Sequence, residues 1–334
     1  MSSPILVEAV RGGIAESVHR GAFIVSDVHG SAVACLGDVE HPVFPRSAIK
    51  AFQALPMIAS GAAEAFGFSD EEIALCCASH GGEGRHVEVA ASMLAKIGDD
   101  EEAYECGVHW PMYQRRTNEM IAAGEKPGQI HNNCSGKHAG MLAFSRHLGV
   151  ASAGYVTPEH EVQRAVARTI EQLCDVDLSK TALGIDGCSV PTWAIPLRNV
   201  ALGFTRFATG DQLDNEQRAA ARKIITSVRA HPFMVAGTGR FCTDIMNAIP
   251  RLFVKTGAEG VYCGCIEHAG LGFALKCDDG ATRASEIAVA NVLSRLDVWN
   301  EDEQTKLQAF TTKQLFNRRK IVTGKLQASA ALTS

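Results

Sequence analysis

The sequence predicts an α+β fold, in which a mainly helical block is set into an antiparallel sheet flanked by helices. Three observations predict it. Short apolar or alternating runs, the signature of strands, gather in the first forty residues and again between residues 251 and 277. Residues 47–180 carry mainly helical periodicity instead. A strong helical run, 284–295, follows the second group of strands. The simplest arrangement joins the first and last segments in one sheet. The expected division is 1–46 plus 195–334 for the sheet and its helices and 47–194 for the helical subdomain. A site is expected at their junction, where pockets often form.

In chain order, Leu6–Arg11 and Ala22–Asp27 read as strands, broken by Gly12, Gly13 and Gly30, and 31–37 as a third. Pro42 and Pro45 lead into a helix beginning near Ser47. Ser69-Asp70-Glu71-Glu72 has the form of a capped helix start. Residues 86–95, 137–144 and 158–174 have helical periodicity, the second preceded by the turn-forming Asn132-Asn133-Cys134-Ser135-Gly136. Beyond Trp193, residues 219–230 form a helix. Then 251–255, 260–265 and 272–277 make a β-meander, with Asp278-Asp279-Gly280 as a tight turn. No internal repeat, low-complexity segment or linker is visible.

Composition narrows the function. The 334 residues are 46% apolar and 21% charged, ordinary for a globular protein. A net charge of -5 argues against nucleic-acid binding, which uses a concentrated basic face. No apolar run is long enough to span a membrane, and the N-terminal residues lack the pattern of a secretory signal. A cytoplasmic protein is expected. Eleven cysteines in a reducing compartment read mostly as small buried apolar residues.

Four segments carry chemistry. In Arg46-Ser47-Ala48-Ile49-Lys50, a hydroxyl and an amine three residues apart share one helix face. Serine is a weak nucleophile without a base, and lysine is a base only when burial or a neighbouring cation lowers its pKa from about 10.4. Arg46 and Lys255 are the candidate cations. Alone, Ser47 reads as a helix start rather than as half of a catalytic pair. Lys255-Thr256-Gly257, at the end of an apolar strand, is the usual companion of a Ser-x-x-Lys pair in acyl-transfer enzymes. Its glycine permits close backbone approach. Ser79, in Ser79-His80-Gly81-Gly82, offers a second hydroxyl for Lys255. Finally, Cys134, Lys137 and His138 lie close along the chain, and Cys188 follows in Asp186-Gly187-Cys188. Two thiols, a nitrogen ligand and an open position suit Zn²⁺, and chemistry alone nominates His138 as the nitrogen. Cys263 and Cys265 alternate on one strand face, which core packing explains.

With these motifs, the chain resembles the serine-dependent asparaginases of the Rhizobium etli type, or class 3. The resemblance runs over nearly the whole length, through Pro45 to Lys50, Ala78 to Gly82, Asn133 to His138, Asp186 to Pro191 and Val254 to Gly260. It implies a fold shared with penicillin-binding proteins, class A β-lactamases and serine glutaminases. It implies hydrolysis of L-asparagine to L-aspartate and ammonia by a cytoplasmic homodimer. By resemblance, Ser47 is the nucleophile with Lys50 as its base, and Ser79 pairs with Lys255. Zinc is held by Cys134, Lys137 and Cys188, with His138 as the alternative nitrogen. Arg46, His138 and Asp186 orient substrate or ligands. Two other readings stand beside this one: a related amidase or β-lactam-type acylase, and a non-catalytic zinc protein on the same scaffold.

Overall fold

The computed structural model describes residues 3–333. Three strands open the chain: β1 (Ile5–Arg11), β2 (Ile14–Ser26) and β3 (Ala32–Leu36). The short β4 (Pro42–Val43) leads into a 3-10 turn, Arg46–Ile49, that runs directly into α1 (Lys50–Ala59). Helices α2 (Ala62–Ala65), α3 (Asp70–Cys76), α4 (Gly84–Ile97), α5 (Gln114–Ala122), α6 (Ser135–Leu148) and α7 (Glu161–Cys174) follow. Two small strands, β5 (Leu183–Ile185) and β6 (Pro191–Trp193), form a hairpin, and β7 (Ile195–Pro196) pairs with β4. Next come α8 (Leu197–Thr209), α9 (Asn215–Ala230), α10 (Pro232–Ala236) and α11 (Phe241–Ala248). The meander β8 (Leu252–Thr256), β9 (Val261–Ile266) and β10 (Leu271–Cys277) is followed by α12 (Thr282–Ser294) and α13 (Glu301–Gln308). The hairpin β11 (Thr312–Phe316) and β12 (Val322–Ala328), then α14 (Ala330–Thr333), end the described chain.

The main sheet runs β11-β12-β1-β2-β10-β9-β8, with β3 also on β2, and every pairing is antiparallel. The first and last segments of the chain therefore share one sheet, as the order of elements predicts. β2 is longer than its sequence suggests. Its first half, Ile14 to Arg20, pairs with β1 and is largely exposed, so it lacks a continuous apolar run. Its second half is buried between β10 and β3. Every residue of β8 and β9 is buried, because α8 and α12 pack on β9 while α9, α11 and the 3-10 turn pack on β8. The predicted cap at Ser69 is a complete capping box. Ser69 Oγ accepts from Glu72 N at 3.3 Å, and Ser69 N donates to Glu72 Oε2 at 2.7 Å. All eleven cysteines are free, and all but Cys35 are buried.

Two glycines set the approach of the elements that carry the site. A Cβ on Gly136 would lie 2.4 Å from Leu75 Cγ, so α6 seats against α3 only with glycine there. A Cβ on Gly257 would lie 2.6 Å from the carbonyl oxygen of Pro45 and 3.3 Å from Ala48 Cβ. Here it is the 3-10 turn bearing Ser47 that comes close, and the end of β8 gives way to it. Gly257→Ala is expected to cost about 1–3 kcal/mol of stability through overpacking. It should lower turnover further by displacing Ser47 from Lys255. Denaturant melts beside steady-state kinetics check both effects, and a variant with unchanged turnover would contradict the second.

Candidate active site

The 3-10 turn places Ser47. Side chains at i and i+3 eclipse in a 3-10 helix, so Ser47 and Lys50 lie on one face. Ser47 is half-buried, and its hydroxyl makes no hydrogen bond to a described residue. Arg46, just before it, holds a left-handed φ of 53°, a conformation costly for a residue other than glycine. The Arg46 Nε donates to Asp186 Oδ1 at 2.7 Å, joining the turn to the β5–β6 hairpin. Burial pushes the Asp186 carboxyl up, but the charges of Lys137 and Arg46 and the Gly187 amide outweigh it and hold the group below the usual carboxylate range.

Lys50 is 0% exposed at the start of α1. Its ammonium donates to the carbonyl of Ala78, to Ser79 Oγ at 3.1 Å and to Cys134 Sγ at 3.1 Å. Ser79 follows the end of α3, and its amide is fixed to the Val235 carbonyl at 2.9 Å. Lys255, 1% exposed on β8, reaches the same hydroxyl at 2.9 Å and the carbonyl of Thr256 at 2.8 Å. The structure thus brings Lys50, Ser79 and Lys255 into one hydrogen-bonded row. Burial, together with the charge of Lys50, lowers the Lys255 pKa to about 7. An amine at that value is a working general base near neutral pH.

The cysteines lie next to this row. Cys134 precedes α6 and Lys137 is in its first turn. A hydrogen bond from the Cys188 thiol, helped by the charges of Lys50 and Lys137, holds Cys134 well below the usual thiol range despite its burial. The same bond, with burial, raises Cys188. Lys137 Nζ lies 3.0 Å from Cys188 Sγ. Burial lowers Lys137, but the charges of the two thiols outweigh it and raise its pKa. His138 is turned to Tyr155, its Nδ1 2.7 Å from the phenol oxygen, while its buried Nε2 has no hydrogen-bond partner. The Cys188 side chain is close enough to act on His138 electrostatically. Among the described residues, no three His, Cys, Asp or Glu side chains are grouped so as to hold a metal ion.

Sequence reading missed three parts of this arrangement. Tyr155, which orients His138, lies in a polar turn with no local signal. The Asn132 side chain accepts from Cys134 N at 2.9 Å and donates to the carbonyls of Cys106 and Gly107, pinning the turn before α6. Its position in an Asn-Asn turn was the available hint. His80 accepts from Gly82 N at its Nδ1 over 3.1 Å and so donates from Nε2 to Ser135 Oγ over 2.9 Å, fixing the loop after Ser79 to α6.

A model of the L-asparaginase II family matches residues 7–328. The chain belongs to the L-asparaginase II family. It is therefore related to amide-hydrolysing enzymes that act on a small molecule. No curated protein matches it. Among solved structures, it is similar to a protein called Mglu at 12% identity and a TM-score of 0.36, over 85% of this chain and 69% of that one. It is also similar to a β-lactamase from Mycobacterium bovis at 12% identity and a TM-score of 0.37, over 87% and 95% of the two chains. No helix among the described residues of this L-asparaginase II family member is long and apolar enough to cross a membrane.

Proposed function

We propose that this chain hydrolyses L-asparagine to L-aspartate and ammonia through a serine ester. The observation that carries the reading is the buried row of Lys50, Ser79 and Lys255, with the half-buried Ser47 three residues before Lys50 on the same face of the 3-10 turn. Ser47 Oγ attacks the side-chain amide carbon. Its proton passes to the lysine–serine row, where Lys255 is the amine with the lowered pKa. The amide of Ser47 lies in the first turn of the 3-10 helix, where backbone donors lack helical partners, and it is the candidate oxyanion donor. The C–N bond then breaks, the row returns the proton to nitrogen, and ammonia leaves. Water, deprotonated by the same row, attacks the ester carbon and releases aspartate and the Ser47 hydroxyl. The Arg46–Asp186 pair is partly exposed beside Ser47 and offers one charge to each end of an amino-acid substrate.

One observation favours a second reading, in which Ser79 is the nucleophile. It alone is held by both lysines. Its burial, with only 5% of its surface exposed, weighs against direct attack and suits a proton relay.

The donor set beside the row fits zinc. Two neighbouring thiols and an amine are soft or borderline donors, and the unpartnered buried Nε2 of His138 lies near them. Cys134, Lys137 and Cys188 would hold the ion, with Lys137 and Cys188 giving up their protons to do so. Bound there, it would supply a fixed positive charge that orients the substrate. The reading retains cytoplasmic localisation and a homodimer as expectations.

The test is ammonia release from asparagine and glutamine, together with metal analysis of the wild type and Cys188→Ala. Asparagine turnover and zinc that is lost in Cys188→Ala are the expected results. Turnover of a chromogenic β-lactam without ammonia release would favour the acylase alternative. Bound zinc without hydrolysis of any amide would favour the binding-protein alternative.

A further inference from the structure

A second charged site is lined by none of the residues of the serine–lysine row. A cleft of about 260 Å³ opens between the start of α11, helix α12 and strand β11. Arg240 and Lys313 line it, as do Asp244 and Glu286. None of these four side chains forms an ion pair or hydrogen bond with a described residue. They nevertheless lie within electrostatic range, since Lys313, Arg240 and Asp244 all act on Glu286. Neighbouring opposite charges elsewhere on the chain close into contacts, as Arg229 does with Glu267 at 2.8 Å. Four charges held apart around a cavity are arranged for a ligand that carries both signs. Burial already pushes the carboxyls of Glu286 and Asp244 up, the cost of facing the cleft unpaired.

The chemistry of the ligand follows from the count of charges. Two cations balance two carboxylates, so a neutral zwitterion fits better than a net anion or cation. Arg240 stands at the N-terminus of α11, where free amides add to the pull on a carboxylate. Phe241 and Phe310 meet edge-on at 5.7 Å and provide an apolar wall for a short side chain.

We propose that this cleft binds a neutral zwitterionic α-amino acid, with its carboxylate at Arg240 and Lys313 and its ammonium at Asp244 and Glu286. The cleft shares no lining residue with the row, and the inference does not rest on the asparaginase reading. The two are linked, however, because Arg240 is one of the charges that act on Lys255.

Calorimetric titration of L-asparagine into the Ser47→Ala protein tests the proposal. Two classes of site are expected. Arg240→Gln and Glu286→Gln should each weaken one class at least tenfold and leave the other unchanged. Succinamate, which is asparagine without its ammonium, should fail to fill that class. Lys313→Gln on the exposed β11 gives the same comparison if Arg240→Gln lowers the melting temperature. If the chain is not an asparaginase, one class remains and still responds to these substitutions. Asparagine binding that none of the three substitutions alters, or a cleft that takes succinamate equally well, would overturn the proposal.

Discussion

Ser47→Ala is expected to reduce kcat for asparagine at least about 10³-fold, a loss of about 4 kcal/mol of transition-state stabilisation. The substitution removes the half-buried hydroxyl and leaves the buried row intact, because Ser47 makes no hydrogen bond to it. Folding stability should therefore barely change. Ser79→Ala should behave differently. It takes away the oxygen shared by two buried amines, so it perturbs both stability and the acid–base row. Its kcat is expected to fall by about 10²–10⁴, the range for a lost proton-transfer group. The two variants separate the two nucleophile readings. An aspartyl ester trapped by acid quench should map to a peptide containing Ser47 in Ser79→Ala and be absent from Ser47→Ala. An ester on Ser79, or near-wild-type turnover by Ser47→Ala, would reverse the assignment.

The parts of the fold legible in the sequence are those with strong local patterns. The meander β8–β10 is apolar along its length because helices cover both faces, and its three runs and turns stand out. The capping box at Ser69 is equally local. The hairpin β11–β12 is not legible, since Thr312 to Phe316 carries no buried residue and β12 only Leu326. Helix α8 carries no local start signal either, although it packs against β2, β9 and β10. Its Leu197-Arg198-Asn199-Val200 start follows Pro196 directly, with no side-chain cap to announce it. At the site, the motifs located residues that the structure brings together, but not the contacts between them. Spacing joins Ser47 to Lys50, whereas the structure turns Lys50 toward Ser79 and Cys134, 29 and 84 residues away. No short-range pattern encodes a contact of that span. For the same reason, spacing left open whether His138 or Lys137 meets Cys188. Both side chains act on Cys188 in the structure: Lys137 Nζ lies 3.0 Å from its sulfur, and the His138 ring, held by Tyr155 through Nδ1, faces it as well.

The pH profile should report Lys255. Its pKa is lowered to about 7 by burial and by the charge of Lys50. Below that value the amine is protonated and cannot accept a proton from the row. Above it the amine is neutral and competent. The sign is therefore fixed: kcat/KM should fall about tenfold per pH unit on the acid side of an apparent pKa near 7. Lys255→Met should abolish this limb and lower kcat about 10²–10⁴-fold, since the row then has no amine with a lowered pKa. Lys50→Gln provides the complementary shift. It removes the positive charge that holds Lys255 down, so the limb in whatever activity remains should move to higher pH. Burial continues to act on Lys255 in that variant, so the limb should stop short of about 10.4, the pKa of a free lysine. A titration of kcat/KM between pH 5 and 9 on the three proteins distinguishes these outcomes. A limb of the same midpoint in Lys255→Met would assign the titration to another group, and a limb moving to lower pH in Lys50→Gln would contradict the electrostatic coupling between the two amines.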